Sequence, residues 1–274
     1  MGIVNVTPDS FADGGRYDST ERALAHGRRL MAEGADIIDI GGESTRPGAP
    51  EVSTADEIGR VLLVIEGLVS DGARVSIDSR KTEVMRRAID AGAVMVNDVE
   101  ALRAEGAIEL CAANGVAVCL MHMKGTPRTM QLAPHYDDVT VEVRDFLLAR
   151  AHACEAGGIR RDRIVLDPGF GFGKTADHNL TLMREFDVLA RCGFPIAVGF
   201  SQKATLGLIT GRPAGERVVA SVAMALLAAQ RGASMVRVHD VAETVDALKV
   251  WRAVAIALTT APADNPAAAQ KRST

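Results

Sequence analysis

Eight times along this chain a short apolar run gives way to a polar loop and then to residues of helical periodicity. This recurrence constrains the fold more than any other feature. The runs lie at 2–6, 36–40, 74–78, 94–97, 116–121, 164–167, 195–199 and 235–238. Between them lie segments rich in Ala, Leu, Arg and Glu at helical spacing, at 19–33, 54–69, 82–91, 136–155, 177–191 and 214–231. Gly34, Gly92, Gly115 and Gly232 stand just before the strands that follow them. Glycine there stops a helix, because it takes the left-handed closing conformation at no steric cost. Strands joined through helices must run parallel, and eight such units in 274 residues favour closure over an open sheet. The expected fold is therefore a single-domain α/β (β/α)8 TIM barrel, an architecture that takes roughly 250 residues. It spans 1–258, and the Ala/Pro/polar stretch 259–274 is expected to be a disordered tail.

Composition narrows the partners. The chain is 47% hydrophobic but only 4% aromatic, which suits a core of small branched residues packed on parallel strands. Its net charge of −4 is spread without basic runs, so nucleic acid is not an expected partner. No stretch approaches the length of a membrane span, and the first residues lack the layout of an export signal, so a cytoplasmic location is expected. Cys111, Cys119, Cys154 and Cys192 form no paired spacing and read as plain thiols.

In such barrels the active site lies at the carboxyl ends of the strands. Here those ends carry Asn5, the run 41–46 (Gly-Gly-Glu-Ser-Thr-Arg), Asp78, Asn97, His122, Asp167, Ser201-Gln202-Lys203 and Arg237-Val238-His239-Asp240. Any one of these could be ordinary loop chemistry. Asp78 could cap a helix over 79–91, Asn97 could close a turn, and Lys203 could be a surface lysine. A complete ring of polar groups at strand ends is different. An unpaired polar group in a partly buried cavity costs about 1–3 kcal/mol, so the ring implies a ligand that uses it.

The same segments resemble the dihydropteroate synthase family. The matching stretches are 5–11 (Asn-Val-Thr-Pro-Asp-Ser-Phe) with Asp13-Gly14-Gly15, 41–48, Asn97-Asp98-Val99, Met121-His122-Met123, 167–174 (Asp-Pro-Gly-Phe-Gly-Phe-Gly-Lys) and 237–241. The resemblance runs from residue 1 to about Leu258, and its motifs are specific in combination and order. The family usually has a short segment before the first strand, whereas this chain starts at that strand, which bears on how the barrel bottom closes.

The resemblance implies condensation of a dihydropterin pyrophosphate with p-aminobenzoate. It assigns Asp78, Asn97, Asp167, Lys203, Met121 and Phe172 to the pterin. Asn5, Thr45, Arg46, Arg237 and His239 fall to the pyrophosphate, and Phe11, Pro47, Lys203 and Ala204 to p-aminobenzoate. Mg²⁺ is the implied cofactor, held by Asn5 and Asp13. Lys203, Arg237, His239 and Asp13 are the implied catalytic set, and the implied assembly is a homodimer through barrel helices. Departing pyrophosphate would leave a cation-like pterin methylene for the aryl amine to attack, so positioning and electrostatics would carry the rate without a protein nucleophile. The run 169–174 looks superficially like a nucleotide-phosphate loop, but Gly173-Lys174-Thr175 only partly imitates that spacing, and the resemblance assigns it to the floor of the pterin pocket.

Two departures stand out. Where the family generally has Ser-Arg-Lys-Ser, this chain reads Ser201-Gln202-Lys203-Ala204, losing a hydroxyl that the family aims at the p-aminobenzoate carboxylate; Thr205, one residue on, is the candidate substitute. Glu100-Ala101 replaces the family's serine-glycine. Two other readings compete: a non-catalytic pterin-binding protein, and a methyltransferase domain acting between a reduced folate and a corrinoid. The second leaves the loops 5–15 and 44–48 without a role.

Overall fold

The computed structural model describes residues 1–7, 16–45, 48–126 and 128–260. The strands are β1 (Gly2–Asn5), β2 (Ile38–Gly41), β3 (Val75–Asp78), β4 (Met95–Asp98), β5 (Ala117–Met121), β6 (Ile164–Asp167), β7 (Ala197–Val198) and β8 (Met235–Val236). All eight fall where the apolar runs predict them. β1 to β6 pair in parallel and in chain order, and β7 pairs with β8. Bridges between Leu166 and Ile196 and between Gly2 and Val238 join these two sheets on both sides. The N–H of Ile3 donates to the Val238 carbonyl at 3.1 Å, and the N–H of Val238 to the Met1 carbonyl at 3.0 Å. The barrel is therefore closed by β1 itself, with no sheet edge left open.

Around it stand α1 (Arg16–Ala32), α2 (Thr54–Ser70), α3 (Thr82–Asp90), α4 (Ala107–Asn114), α5 (Val139–Ala156), α6 (Ala176–Arg184), α7 (Phe186–Ala190), α8 (Ala204–Thr210), α9 (Val218–Gln230) and α10 (Val241–Thr260). The periodicity reading misses the short α4 and α8 and also α10. It also merges α6 and α7, which break at Glu185. Two predicted starts are too early. α5 begins after Asp138, whose carboxylate accepts from the Thr140 and Val141 N–H groups and so caps the helix. α9 begins beyond Gly215, whose φ of +87° no helix interior accommodates. Asp78 is not a helix cap, because α3 starts only after Lys81. The expected boundary at 258 falls inside α10, and 261–274 lie outside the described residues.

Alternation along each strand sorts side chains into two environments. Outward-facing Val4, Ile40, Ile77, Val96, Val118, Leu166 and Val198 are buried against the helices. Inward-facing Met95, Cys119 and Ala197 pack with Ile37, Ala117, Val165 and Met235 to fill the lower barrel. Two residues beyond Ile37, Met95, Val165 and Met235 come Asp39, Asn97, Asp167 and Arg237, and Asp78 follows the buried Ser76 on β3 in the same way. The interior thus changes from apolar to charged as it approaches the carboxyl ends.

Candidate active site

Parallel register sets the geometry of the mouth. Asn5, Gly41, Asp78 and Asn97 occupy paired positions on β1 to β4. Gly41 leaves room there, since a Cβ on it would come 3.8 Å from the Asn5 Oδ1 and 3.7 Å from an Asp78 oxygen. Gly199 does the same opposite, where a Cβ would lie 3.9 Å from Asp167 Oδ2 and 4.0 Å from Arg237.

Arg237 is the hub. Its Nε donates to Asp39 Oδ2 at 2.6 Å and its Nη2 to Asp78 Oδ2 at 2.6 Å. Asp39 Oδ2 also accepts from Asn97 Nδ2 at 3.0 Å, which turns the amide oxygen of Asn97 away from Asp39. Asp39 is fully buried. Burial opposes the charge on Arg237, yet Asp39 and Asp78 hold its proton more tightly than usual. Burial raises the Asp78 carboxyl to about 7, against the pull of Arg237, because one guanidinium serves two buried carboxylates.

On the far side Asp167 Oδ1 accepts the Gly169 N–H at 2.7 Å. Burial raises this carboxyl too, opposed by that N–H and by Lys203, Arg237 and Lys174. Lys203 is half-buried, with its ammonium 4.2 Å above the Phe172 ring, so it is not a free surface lysine. Phe172 packs on a small apolar cluster of Val99, Met121, Met123 and Met130. That surface is suited to the face of a flat heterocycle whose edge meets the Asp and Asn side chains.

His239 and Ser201 meet at 2.9 Å through Nδ1 and Oγ, and the His239 backbone N–H donates to the same Oγ at 3.2 Å. Ser201 thus holds both the ring and the backbone of His239 and fixes the orientation of the imidazole. Thr45 lies half-buried on the loop after β2. That loop is tied down through Glu43, which accepts from Lys81 at 2.7 Å, while Lys81 also donates to buried Glu57 at 2.7 Å.

The structure thus gathers Asn5, Asp78, Asn97, Met121, Asp167, Phe172, Lys203, Arg237 and His239 at one end of the barrel, with Thr45 on an adjoining loop. Phe11, Asp13, Arg46 and Pro47 lie outside the described residues. Ala204 is exposed at the start of α8. Thr205 does not replace the missing hydroxyl: it is buried and its Oγ1 accepts from Asn179 Nδ2 at 3.1 Å. His122, although on the rim in sequence, turns behind the 169–174 loop, where Lys174 meets its Nδ1 at 2.9 Å.

Sequence reasoning passes over Asp39, Ser201 as a partner of His239, and Lys174. Asp39 left a signal, a carboxylate two residues inside an apolar run, which demands a cation in the barrel interior. The partner of Ser201 left none, since it is 38 residues away. Glu100, unassigned from sequence, lies 3.5 Å from Arg80, which also reaches Glu51 and so bridges the loops after β4 and β2.

A family model described as pterin binding enzyme matches residues 1–239. The dihydropteroate synthase of Neisseria meningitidis serogroup B is 52% identical over 265 residues, covering 94% of this chain and 93% of its own. A solved structure of the Xanthomonas albilineans dihydropteroate synthase with 4-aminobenzoic acid superposes with a TM-score of 0.89 at 53% identity, covering 96% of this chain and 93% of that one. A second structure of that protein, in complex with 7,8-dihydropteroate, gives a TM-score of 0.86 at 50% identity, covering 96% and 94%.

Proposed function

This chain belongs to the pterin-binding enzyme family, and from that premise we propose that it is a dihydropteroate synthase, a transferase joining 6-hydroxymethyl-7,8-dihydropterin pyrophosphate to p-aminobenzoate. The observation that carries the reading is the charged interior at the carboxyl ends of the strands, facing the apolar surface of Met121 and Phe172. A pterin edge alternates donors and acceptors. Asp167 and Asp78 offer acceptors and Asn97 an amide, a set that reads such an edge from several sides.

Arg237, His239 and Thr45 serve the pyrophosphate. Arg237 does so while bound to Asp39 and Asp78, which hold its guanidinium in one orientation. His239 adds its imidazole, oriented by Ser201. As the leaving group departs, these donors stabilise the charge that develops on it, and the acceptors around the ring favour the electron-deficient methylene. Lys203, above Phe172, borders both the pterin and the incoming amine. The amine is already nucleophilic, so its position rather than a general base decides the rate.

Mg²⁺ is the proposed cofactor. Asn5 Oδ1, near the Asp78 carboxylate, is a hard oxygen donor, and one or two protein oxygens plus phosphate oxygens fit the coordination habit of this ion. Asn5, with Asp13, would hold it, and it would neutralise pyrophosphate charge there. We also propose a cytoplasmic enzyme that pairs as a homodimer through α8, α9 and α10, where Leu208, Ile209, Val219, Val250 and Val254 expose apolar side chains. Sedimentation of Val219→Glu is expected at the monomer position and wild type at the dimer position.

The deciding experiment is pyrophosphate release measured with each substrate alone and with both. Release that requires both is expected. Pterin binding without turnover would favour a non-catalytic binder, and methyl transfer to a corrinoid would overturn the synthase.

A further inference from the structure

Lys174 is almost completely buried. Its ammonium has no carboxylate partner within ion-pair distance among the described residues. Instead it meets His122 Nδ1 at 2.9 Å and donates to the carbonyls of Gly169 and Phe172 at 3.0 Å each and, longer, to that of His122 at 3.4 Å. The His122 imidazole beside it is neutral, because burial and the nearby Lys174 push His122 down to about 2.

These contacts bind the two carbonyls that flank the Gly169–Phe172 turn. Other carbonyls of the same loop are held by neutral donors, Gly171 by Gln131 Nε2 at 2.6 Å and Gly173 by Tyr136 Oη at 2.8 Å. Gly169, Gly171 and Gly173 all have positive φ, and a Cβ on Gly169 would collide with the His122 carbonyl. The loop is therefore fixed at nearly every peptide, and neutral groups suffice for part of that task. Burying an ammonium is far costlier than burying a hydroxyl or an amide. Burial accordingly pushes the Lys174 amine down to about 7, opposed by Asp167, and this one amine reaches both carbonyls that flank the turn and His122 at once.

Given the pterin reading of the site, we propose that Lys174 is a positioning residue for pterin recognition: from behind the 169–174 loop it holds Phe172 under the ring site and fixes the turn whose Gly169 N–H orients Asp167. It touches no substrate. Its influence passes through the Gly169 N–H bound to Asp167 and through the Phe172 backbone.

The test is titration calorimetry of 6-hydroxymethyl-7,8-dihydropterin pyrophosphate, with steady-state kinetics, on wild type, Lys174→Met and Lys174→Arg. Loss of these hydrogen bonds is expected to weaken pterin affinity roughly 10- to 100-fold in Lys174→Met and raise the KM for that substrate alike, with the KM for p-aminobenzoate nearly unchanged and partial rescue in Lys174→Arg. A merely structural lysine would lower kcat through the folded fraction and leave both KM values alone. Lys174→Gln, which keeps two N–H donors on a shorter side chain, serves should Lys174→Met not fold, and it is expected to show the same split to a smaller extent. Unchanged pterin affinity in a folded Lys174 variant overturns the inference, whereas a wild-type chain that binds no pterin overturns the underlying reading of the site instead.

Discussion

On the side of the mouth built by β2, β3, β4 and β8, one guanidinium is shared between two carboxylates at 2.6 Å each, and the amide of Asn97 is tied to the same Asp39 oxygen. On the side built by the β7 loop, Lys203 is half-buried and Ala204 is exposed. The first region is an interlocked interior in which removing any member strands the others. The second is more open, and one of the two departures from the family's pattern, Gln202 with Ala204, lies there, while the other, Glu100-Ala101, follows β4. The interior is thus fixed by its own hydrogen bonds, whereas position 204 on the rim turns its side chain to solvent.

Arg237→Met would probe the interior most severely. It leaves Asp39 and Asp78 buried without their cation, a loss of about 3–5 kcal/mol for breaking one side of a buried pair. Denaturant unfolding should register that loss, and turnover should fall by a factor on the order of 10²–10³ as leaving-group stabilisation goes. Unchanged stability would mean the interior is not interlocked.

A smaller effect follows from Asp78. Burial raises its carboxyl to about 7 in the fold, well above its value in an unfolded chain. The native state therefore binds a proton that the unfolded state has already released, and this contribution is complete below about pH 4 and lost as pH climbs through about 7. The stability difference between wild type and Asp78→Asn should accordingly move against wild type between about pH 4 and pH 8. Denaturation midpoints at both ends of that window would show it, and a difference rising with pH would contradict the burial argument.

How much of this was legible beforehand divides along the same line. The eight strands, their closure and most site residues lie at strand ends, where periodicity and loop chemistry speak together. What the sequence concealed were partnerships across the barrel. Asp39 and Arg237 are 198 residues apart, and nothing local announces that they touch. Lys174 was hidden differently, because its neighbours imitate a phosphate loop while its side chain turns inward to backbone carbonyls. The short α4 and α8 escaped because neither is long enough to display an amphipathic period.

The rim supplies the mildest test. Ala204 lacks the hydroxyl that the family's pattern places there, and Thr205 is engaged with Asn179 instead. Restoring one hydrogen bond to a charged carboxylate is worth about 1.5–3 kcal/mol at most, so Ala204→Ser should lower the KM for p-aminobenzoate by up to roughly 10- to 100-fold and tighten a sulfonamide by a similar factor. Thr205→Val should leave both unchanged while lowering stability slightly, because Asn179 loses an acceptor. Calorimetric titration of a sulfonamide in the presence of pterin and pyrophosphate separates the two positions. Equal affinity in wild type and Ala204→Ser would mean that another group already holds the carboxylate, and a response to Thr205→Val would identify it.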